Sequence, residues 1–209
     1  VASPGAGKTF WTAALVRHTV EHGVADVAFV HDGKDPAPQA DYVKLGPVFP
    51  TVAALAAAPP EGPMPIAVVF HSVDKIETLD GVTTAARDLS VDGLRVCAAL
   101  DEIYDGMSGR QTFISGTEGP TSEAFRKGRS RGISVIAGTQ IPQTLPTDIT
   151  DLADTIAVGR LKRRSLRYIE RTWDLEPEMV AAIRGLQRGE FVLLDDTSEW
   201  DRTVYGPAV

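Results

Sequence analysis

Residues 2–9 read ASPGAGKT, and no other stretch restricts the fold and chemistry of the chain as strongly. The pattern G-x-x-x-x-G-K-[ST] wraps backbone N–H groups around a phosphate along a path that most side chains resist and glycine permits. Gly5 and Gly7 supply that freedom, and Ser3, Pro4 and Ala6 complete the turn. Lys8 is placed to reach the β- and γ-phosphates, and Thr9 to ligate Mg²⁺. A helix opening at Thr9 or Phe10 aims its N-terminal dipole at the anion. Ala2 stands where the pattern has its first glycine, a variation that such loops tolerate. A chance glycine turn before a helix is the competing explanation, and the intact GKT argues against it. Such a loop normally follows a buried strand, yet only Val1 precedes this one, so upstream residues are expected to supply the strand.

At 209 residues the chain has room for one well-packed domain, and the expectation is a single phosphate-loop domain over residues 1–209. The composition, 43% hydrophobic and 23% charged, excludes a disordered tail and a fibrous protein. No apolar run approaches the roughly 18 residues that span a bilayer. Cys97, the sole cysteine, has no partner within the chain, which fits a reducing cytoplasm. His18, His22, His31 and His71 show no metal-ligand spacing, so Mg²⁺ is the one metal expected.

A net charge of −7 argues against a surface uniformly basic for nucleic acid. The charge is uneven, however. Between Arg126 and Arg171 ten Lys/Arg face four acids, a net of +6, which leaves −13 on the remainder. An acidic body with one basic segment suits a protein meeting an anion at a single face; a solvated helix surface is the plainer alternative.

Short apolar runs rich in Val and Phe lie at Asp26–His31, Ile66–His71, Leu94–Leu100 and Ile133–Gly138, with weaker ones at Thr155–Val158 and Phe191–Leu194. Helical patterns fall between them, at Thr9–His22, Val82–Leu89, Thr121–Ser130, Arg163–Trp173 and Glu176–Arg184. This alternation predicts an α/β fold, a parallel sheet with helices on both faces. The Ala/Pro-rich stretch Ala53–Pro65 reads as a short helical turn and a connector.

Two further motifs end in polar side chains at strand tips. Val96–Glu102 (VCAALDE) is an apolar strand closing on two acids, the Walker B pattern that accompanies a Walker A loop such as residues 2–9. There Asp101 would hold the Mg²⁺ shell, and Glu102 would act as general base toward water. Ile133–Gln140 (ISVIAGTQ) ends in an amide, and Gln140 could touch both the water and the γ-phosphate.

The run from Gly128 to Arg160, GRSRGISVIAGTQIPQTLPTDITDLADTIAVGR, resembles the FtsK/HerA superfamily of DNA-pumping ATPases, as do "FVHDGKDP" (Phe29–Pro36) and "RGEFVLLD" (Arg188–Asp195). The resemblance covers Ala2 to about Leu194 and implies a RecA-like ATPase that forms a homo-oligomeric ring, a pentamer or hexamer, around double-stranded DNA. It implies ATP and Mg²⁺ as cofactors, and an arginine from the neighbouring subunit completing each site. Arg129 matches the family's arginine ahead of "GI"; Arg131, Arg126 and Arg160 are the alternatives. A guanidinium there would neutralise charge on the transferring phosphoryl group.

Asp105–Glu123, rich in Gly, Ser and Thr, is the expected pore loop, with Arg110 its one basic residue. Lys162, Arg163, Arg164 and Arg167 form a second candidate DNA contact, with subunit contact as the alternative. The compact core resembles a viral genome-packaging ATPase, which would meet a portal or membrane complex in the host cytoplasm or virion. Alternatives are an FtsK- or conjugation-type pump core and a Zot-like assembly or export factor without DNA pumping. A P-loop kinase finds no support, because no lid-like arginine pattern is present.

Overall fold

The structure, a computed structural model, describes residues 1–33, 38–57, 65–70, 75–103, 119–145, 147–195 and 200–204. They fall into two compact units, one of Thr12–Gly138 and one of Val1–Trp11 with Thr139–Val209. Helix α1 (Lys8–Glu21) begins in the second and continues in the first.

In the unit Thr12–Gly138 the elements after α1 are β1 (Val27–Asp32), α2 (Ala40–Val43), β2 (Val48–Phe49), α3 (Val52–Ala57), β3 (Ile66–Phe70), α4 (Lys75–Val91), β4 (Val96–Leu100), α5 (Pro120–Lys127) and β5 (Ile133–Ala137). The strands form a parallel sheet in the order β2-β3-β1-β4-β5. Every residue of β1 and β4 is buried, so their sequences read as continuous apolar runs rather than alternating ones. Ala28, Val30, Cys97 and Ala99 pack under Ala13 and Val16 of α1 and under Tyr42. The same two strands also lie against α4, and the sheet is flanked by helices, as the alternation predicts. Burial pushes the Cys97 thiol up to about 11, which leaves it an inert core residue. In the register, His31 lies opposite Leu100, and Leu100 opposite Ala137. Asp32, Asp101 and Gly138 therefore leave the sheet level with one another at its carboxyl edge.

Helix α4 is twice as long as the pattern Val82–Leu89 suggested. Gly81 hid its first half, because a mid-helix glycine reads as a break. Here the glycine serves packing: a Cβ at position 81 would lie 2.6 Å from Val52 Cγ2 of α3. The short α2 and β2 carry too few residues for any periodicity to register.

The unit of Val1–Trp11 and Thr139–Val209 contains α6 (Thr147–Asp151), β6 (Thr155–Gly159), α7 (Arg163–Thr172), α8 (Pro177–Gly185), β7 (Glu190–Asp195) and β8 (Trp200–Val204). Its core joins Val158, Leu166, Ile169, Val180, Ile183, Leu186 and Val192. The two weaker strand candidates belong to a second sheet, in which β6, β7 and β8 pair antiparallel. The reason is topological. Two helices, not one, separate β6 from β7, so the chain re-enters the sheet at the end where β6 left it. Beside β6, the Val1 nitrogen donates to Ala157 O, and Gly159 N donates to Val1 O at 2.8 Å. Residues Val1–Ser3 thus run alongside β6 in the same direction, hydrogen-bonded to it, and lead into the glycine turn. No helix among the described residues is long and apolar enough to cross a membrane.

Candidate functional site

In the unit that holds residues 1–11, the ASPGAGKT segment forms a closed turn on the first residues of α1. Ala6 N donates to Ser3 O at 3.1 Å, and Gly5 and Gly7 adopt φ of 76° and 96°. An added Cβ on Gly7 would stand 3.3 Å from Gly189 Cα, and Gly189 N donates to Ala6 O at 2.9 Å. The turn before β7 is therefore a structural part of the loop, which the sequence pattern did not indicate; the only trace was the glycine in "RGE". Ala2 is fully buried, and its tolerance in place of glycine has a visible cause: it faces Gly159, whose hypothetical Cβ would come within 2.8 Å of both Ala2 Cβ and Phe191 Cε1. Trp11 stacks on Phe191 with ring centroids 5.4 Å apart, which fixes the first turn of α1. Pro4 and Gly5 face solvent while Lys8 is 9% exposed. The result is a glycine turn at a helix N-terminus with a buried lysine beside it, a chemistry suited to polyphosphate.

The same unit ties this loop to its neighbours. Ala2 N donates to Thr139 O at 3.2 Å, one residue before the half-buried Gln140. Ser3 N donates to Arg160 O at 2.9 Å, and Lys162 N donates to Ser3 Oγ at 3.0 Å.

In the other unit, the second motif forms an acidic turn at the tip of β4. Asp101 and Glu102 are 1% and 7% exposed. Glu102 adopts φ 50°, a left-handed conformation uncommon for a residue with a Cβ and found disproportionately at functional sites. Its N–H donates to Asp101 Oδ1 at 3.0 Å. The Gln39 amide donates to Asp101 Oδ2 at 2.8 Å and to Asp32 Oδ1 at 3.0 Å, while Gln39 N donates to Asp32 Oδ2. Two buried carboxylates are thus joined by one carboxamide. Gly33 makes room for the turn: a Cβ there would sit 3.0 Å from His31 Cε1 and 3.1 Å from Asp101 O. His31 Nδ1 lies 3.1 Å from Asp101 O. Burial, with the Asp32 charge nearby, keeps the Tyr42 hydroxyl firmly protonated. Neither Asp32 nor Gln39 stands out in the sequence as a site residue.

Both oxygens of Asp101 accept hydrogen bonds, as an ionised carboxylate does, so the residue fits a role near Mg²⁺. Among the described residues no group of three or more His, Cys, Asp or Glu could hold a metal ion.

The arginine-bearing segment of the same unit is anchored from α4. Gly119, at the N-cap of α5, has no side chain to offer, and Asp80 Oδ1 instead accepts Thr121 N at 3.2 Å and Thr121 Oγ1 at 2.7 Å. Arg129 and Arg131 lie exposed on the 3-10 turn that follows, which Gly132 closes at φ 73°. Arg131 is held by Glu123 of its own chain at 2.9 Å, and that guanidinium keeps the Glu123 carboxyl below its ordinary range. Arg126 is likewise exposed, as are Arg160, Lys162, Arg163, Arg164 and Arg167 of the other unit. Arg110 and most of the expected pore loop lie outside the described residues.

No family model matches the chain, and no curated protein matches its sequence. By structure it is similar to the genome packaging NTPase B204 from Sulfolobus turreted icosahedral virus 2 in complex with AMPPCP, with TM-score 0.77, 16% identity, and coverage of 100% of this chain and 95% of that chain. The DNA-packaging ATPase B204 from Sulfolobus turreted icosahedral virus gives TM-score 0.76 at 16% identity, covering 98% and 95%. VirB4 of Thermoanaerobacter pseudethanolicus gives TM-score 0.52 at 14% identity over 68% of this chain and 42% of VirB4. The likeness expected from the motifs is met at the level of the fold, which is that of P-loop ATPases.

Proposed function

We propose that this chain hydrolyses ATP as one subunit of a homo-oligomeric ring that translocates double-stranded DNA, with viral genome packaging as its setting. The observation that carries the reading is the left-handed Glu102 behind a buried, doubly hydrogen-bonded Asp101, in a chain whose ASPGAGKT segment forms a glycine turn on a helix N-terminus. A backbone strained at that residue is supported by its surroundings for a purpose other than stability.

In this reading the amides of residues 3–9 and the Lys8 ammonium bind the β- and γ-phosphates. Thr9 and Asp101 would hold Mg²⁺, which would neutralise charge on the phosphoryl oxygens. Glu102 takes the proton of the attacking water, and Gln140 orients that water against the γ-phosphate. Arg129 reaches the site of the adjoining subunit, with Arg131, which pairs with Glu123 of its own chain, as the alternative. The higher TM-score against B204 than against VirB4 favours packaging over conjugative transfer.

The test is ATP hydrolysis by the purified protein with and without duplex DNA. Stimulation by duplex, lost in Glu102→Gln with nucleotide binding retained and in Lys8→Ala with binding abolished, is the expected result. Hydrolysis indifferent to duplex would favour an assembly or export factor instead.

A further inference from the structure

The face of α7 shows an arrangement that hydrolysis does not use. An open groove of about 820 Å³ is lined by Arg163, Arg164, Arg167 and Arg171, with Gln143 and Tyr168, and among the described residues no carboxylate lines it. We propose that this groove grips the phosphodiester backbone of duplex DNA, and that its grip follows the nucleotide through the Ser3–Lys162 hydrogen bond. The proposal rests on the motor reading and assigns the gripping surface to one helix.

Three observations carry it. Arg163, Arg167 and Arg171 recur every fourth residue, so they form one stripe along the helix. The stripe runs about 12 Å at ~1.5 Å per residue, the axial span of about three to four phosphates on one strand at ~3.4 Å each. Second, the first turn of the helix is built against its own stability. Like charges four residues apart repel, two arginines and no acid occupy the positive end of the dipole, and the N-cap Lys162 makes no side-chain cap. Among the described residues none of the four arginines forms an ion pair within the chain. A helix that collects unbalanced positive charge in this way is matched to an external polyanion. Third, the remaining lining offers donors. Gln143 Oε1 accepts Ser165 Oγ at 3.4 Å, so its NH₂ is the group left for the groove. Arginine forks, an amide N–H and a tyrosine hydroxyl contact phosphates without reading bases, as movement along any sequence requires.

The link to the nucleotide loop is short. Lys162 N donates to Ser3 Oγ at 3.0 Å, and α7 begins at the next residue. A change in the loop on losing the γ-phosphate therefore bears directly on the first turn of the arginine stripe.

The experiment measures binding of a fluorescent 30-base-pair duplex across a salt series. Wild type is compared with the triple variant Arg163→Ala, Arg167→Ala, Arg171→Ala and with a control, Arg184→Ala, exposed in the same unit outside the groove. The triple variant should lower the log–log salt slope by about three, one for each phosphate no longer neutralised, and the control by none. In wild type, duplex should shield arginines 163, 167 and 171 from phenylglyoxal, read by mass spectrometry, a readout independent of any variant folding. Equal slopes together with no shielding overturn the groove while leaving the motor reading intact. Loss of the oligomer in the triple variant without arginine shielding by DNA makes the groove a subunit contact, which also overturns the proposal. A wild type that binds no duplex brings down the motor reading and the groove together. Equal duplex affinity in a non-hydrolysable ATP analogue and in ADP removes the Ser3–Lys162 linkage.

Discussion

The Gln39 carboxamide stands 2.8 Å from Asp101 Oδ2 and 3.0 Å from Asp32 Oδ1, so one NH₂ group supplies a proton to each of two buried carboxylates. Without it the two acids would face each other across a poorly solvated gap. Gln39→Ala should destabilise the protein by about 2–4 kcal/mol, the scale of losing hydrogen bonds to charged groups. It should also raise the Mg²⁺ concentration needed for half-maximal hydrolysis, because Asp101 loses an orienting bond. Urea unfolding and a Mg²⁺ titration of ATPase rate check the two effects. Gln39→Glu, which adds a third carboxylate, should be worse on both counts.

Gly159→Ala tests how the phosphate loop is supported from beneath. Its new Cβ would meet Ala2 and the Phe191 ring at 2.8 Å each, and both neighbours are buried. Overpacking of this kind costs about 1–3 kcal/mol. The displacement falls on Ala2 and so on the entry to the loop, so nucleotide affinity should weaken along with stability. A titration with a fluorescent ATP analogue, beside thermal melting, separates the two. Ala2→Gly in the same background should recover part of both, since it removes the opposing methyl and leaves the contact with the Phe191 ring.

The central strands β1 and β4 were legible from sequence because burial on two faces leaves uninterrupted apolar runs, and polar residues at their ends stand out. Asp101 and Glu102 were visible for that reason. Gln39 was not: it acts through the fold from a loop seven residues beyond Asp32, and nothing local distinguishes it from a solvated glutamine. Gly159 and Gly189 were equally silent, since each matters only through its tertiary packing on the loop at residues 2–9. The antiparallel pairing of β6 with β7 depends on counting α7 and α8 as two helices between them, a matter of topology that periodicity within each segment does not address. The basic run around α7 was readable as charge, whereas its gathering into one groove with Gln143 required the structure.

Asp26 and Arg95 join the start of β1 to the start of β4. Arg95 donates to Asp26 from its backbone N at 2.8 Å and from Nε at 3.1 Å, and to Gly23 O from Nη1 at 2.6 Å. The Arg95 hydrogen bonds hold the Asp26 carboxyl below its ordinary value of 3.8. A carboxyl with a lowered folded-state pKa stabilises the protein fully above its unfolded pKa, and that contribution disappears as pH falls through the folded value. The stability gap between wild type and Asp26→Ala should therefore be constant from about pH 6 to 8 and narrow below about pH 4. Both groups are solvent-facing, so added salt should shrink the gap as well. Chemical denaturation across pH and salt measures it.

An arginine acting in trans predicts complementation. Arg129→Ala subunits should bind ATP normally and hydrolyse it poorly, and Lys8→Ala subunits should not bind it. In a mixed ring, an intact phosphate loop can adjoin a subunit that still carries Arg129, so some activity should return on mixing the two inactive proteins. The check is ATPase rate against mixing ratio, with native mass spectrometry to establish that mixed oligomers form. Mixed oligomers without recovered activity would rule out Arg129 as the residue supplied across the interface.

Glu102 offers the most direct separation of stability from function. Its φ of 50° costs a residue with a Cβ on the order of 1–2 kcal/mol relative to the right-handed region, and glycine escapes that penalty. Glu102→Gln and Glu102→Gly both remove the carboxylate, so both should bind ATP and fail to turn it over. They should differ in stability: the glycine variant should be the more stable by about 1 kcal/mol, after allowance for the greater entropy glycine loses on folding. Were the turn held only for packing, deleting the buried side chain would leave a cavity and reverse the order. Paired urea denaturation curves of the two variants, with ATP binding measured on the same samples, decide between a strained catalytic position and a merely structural one.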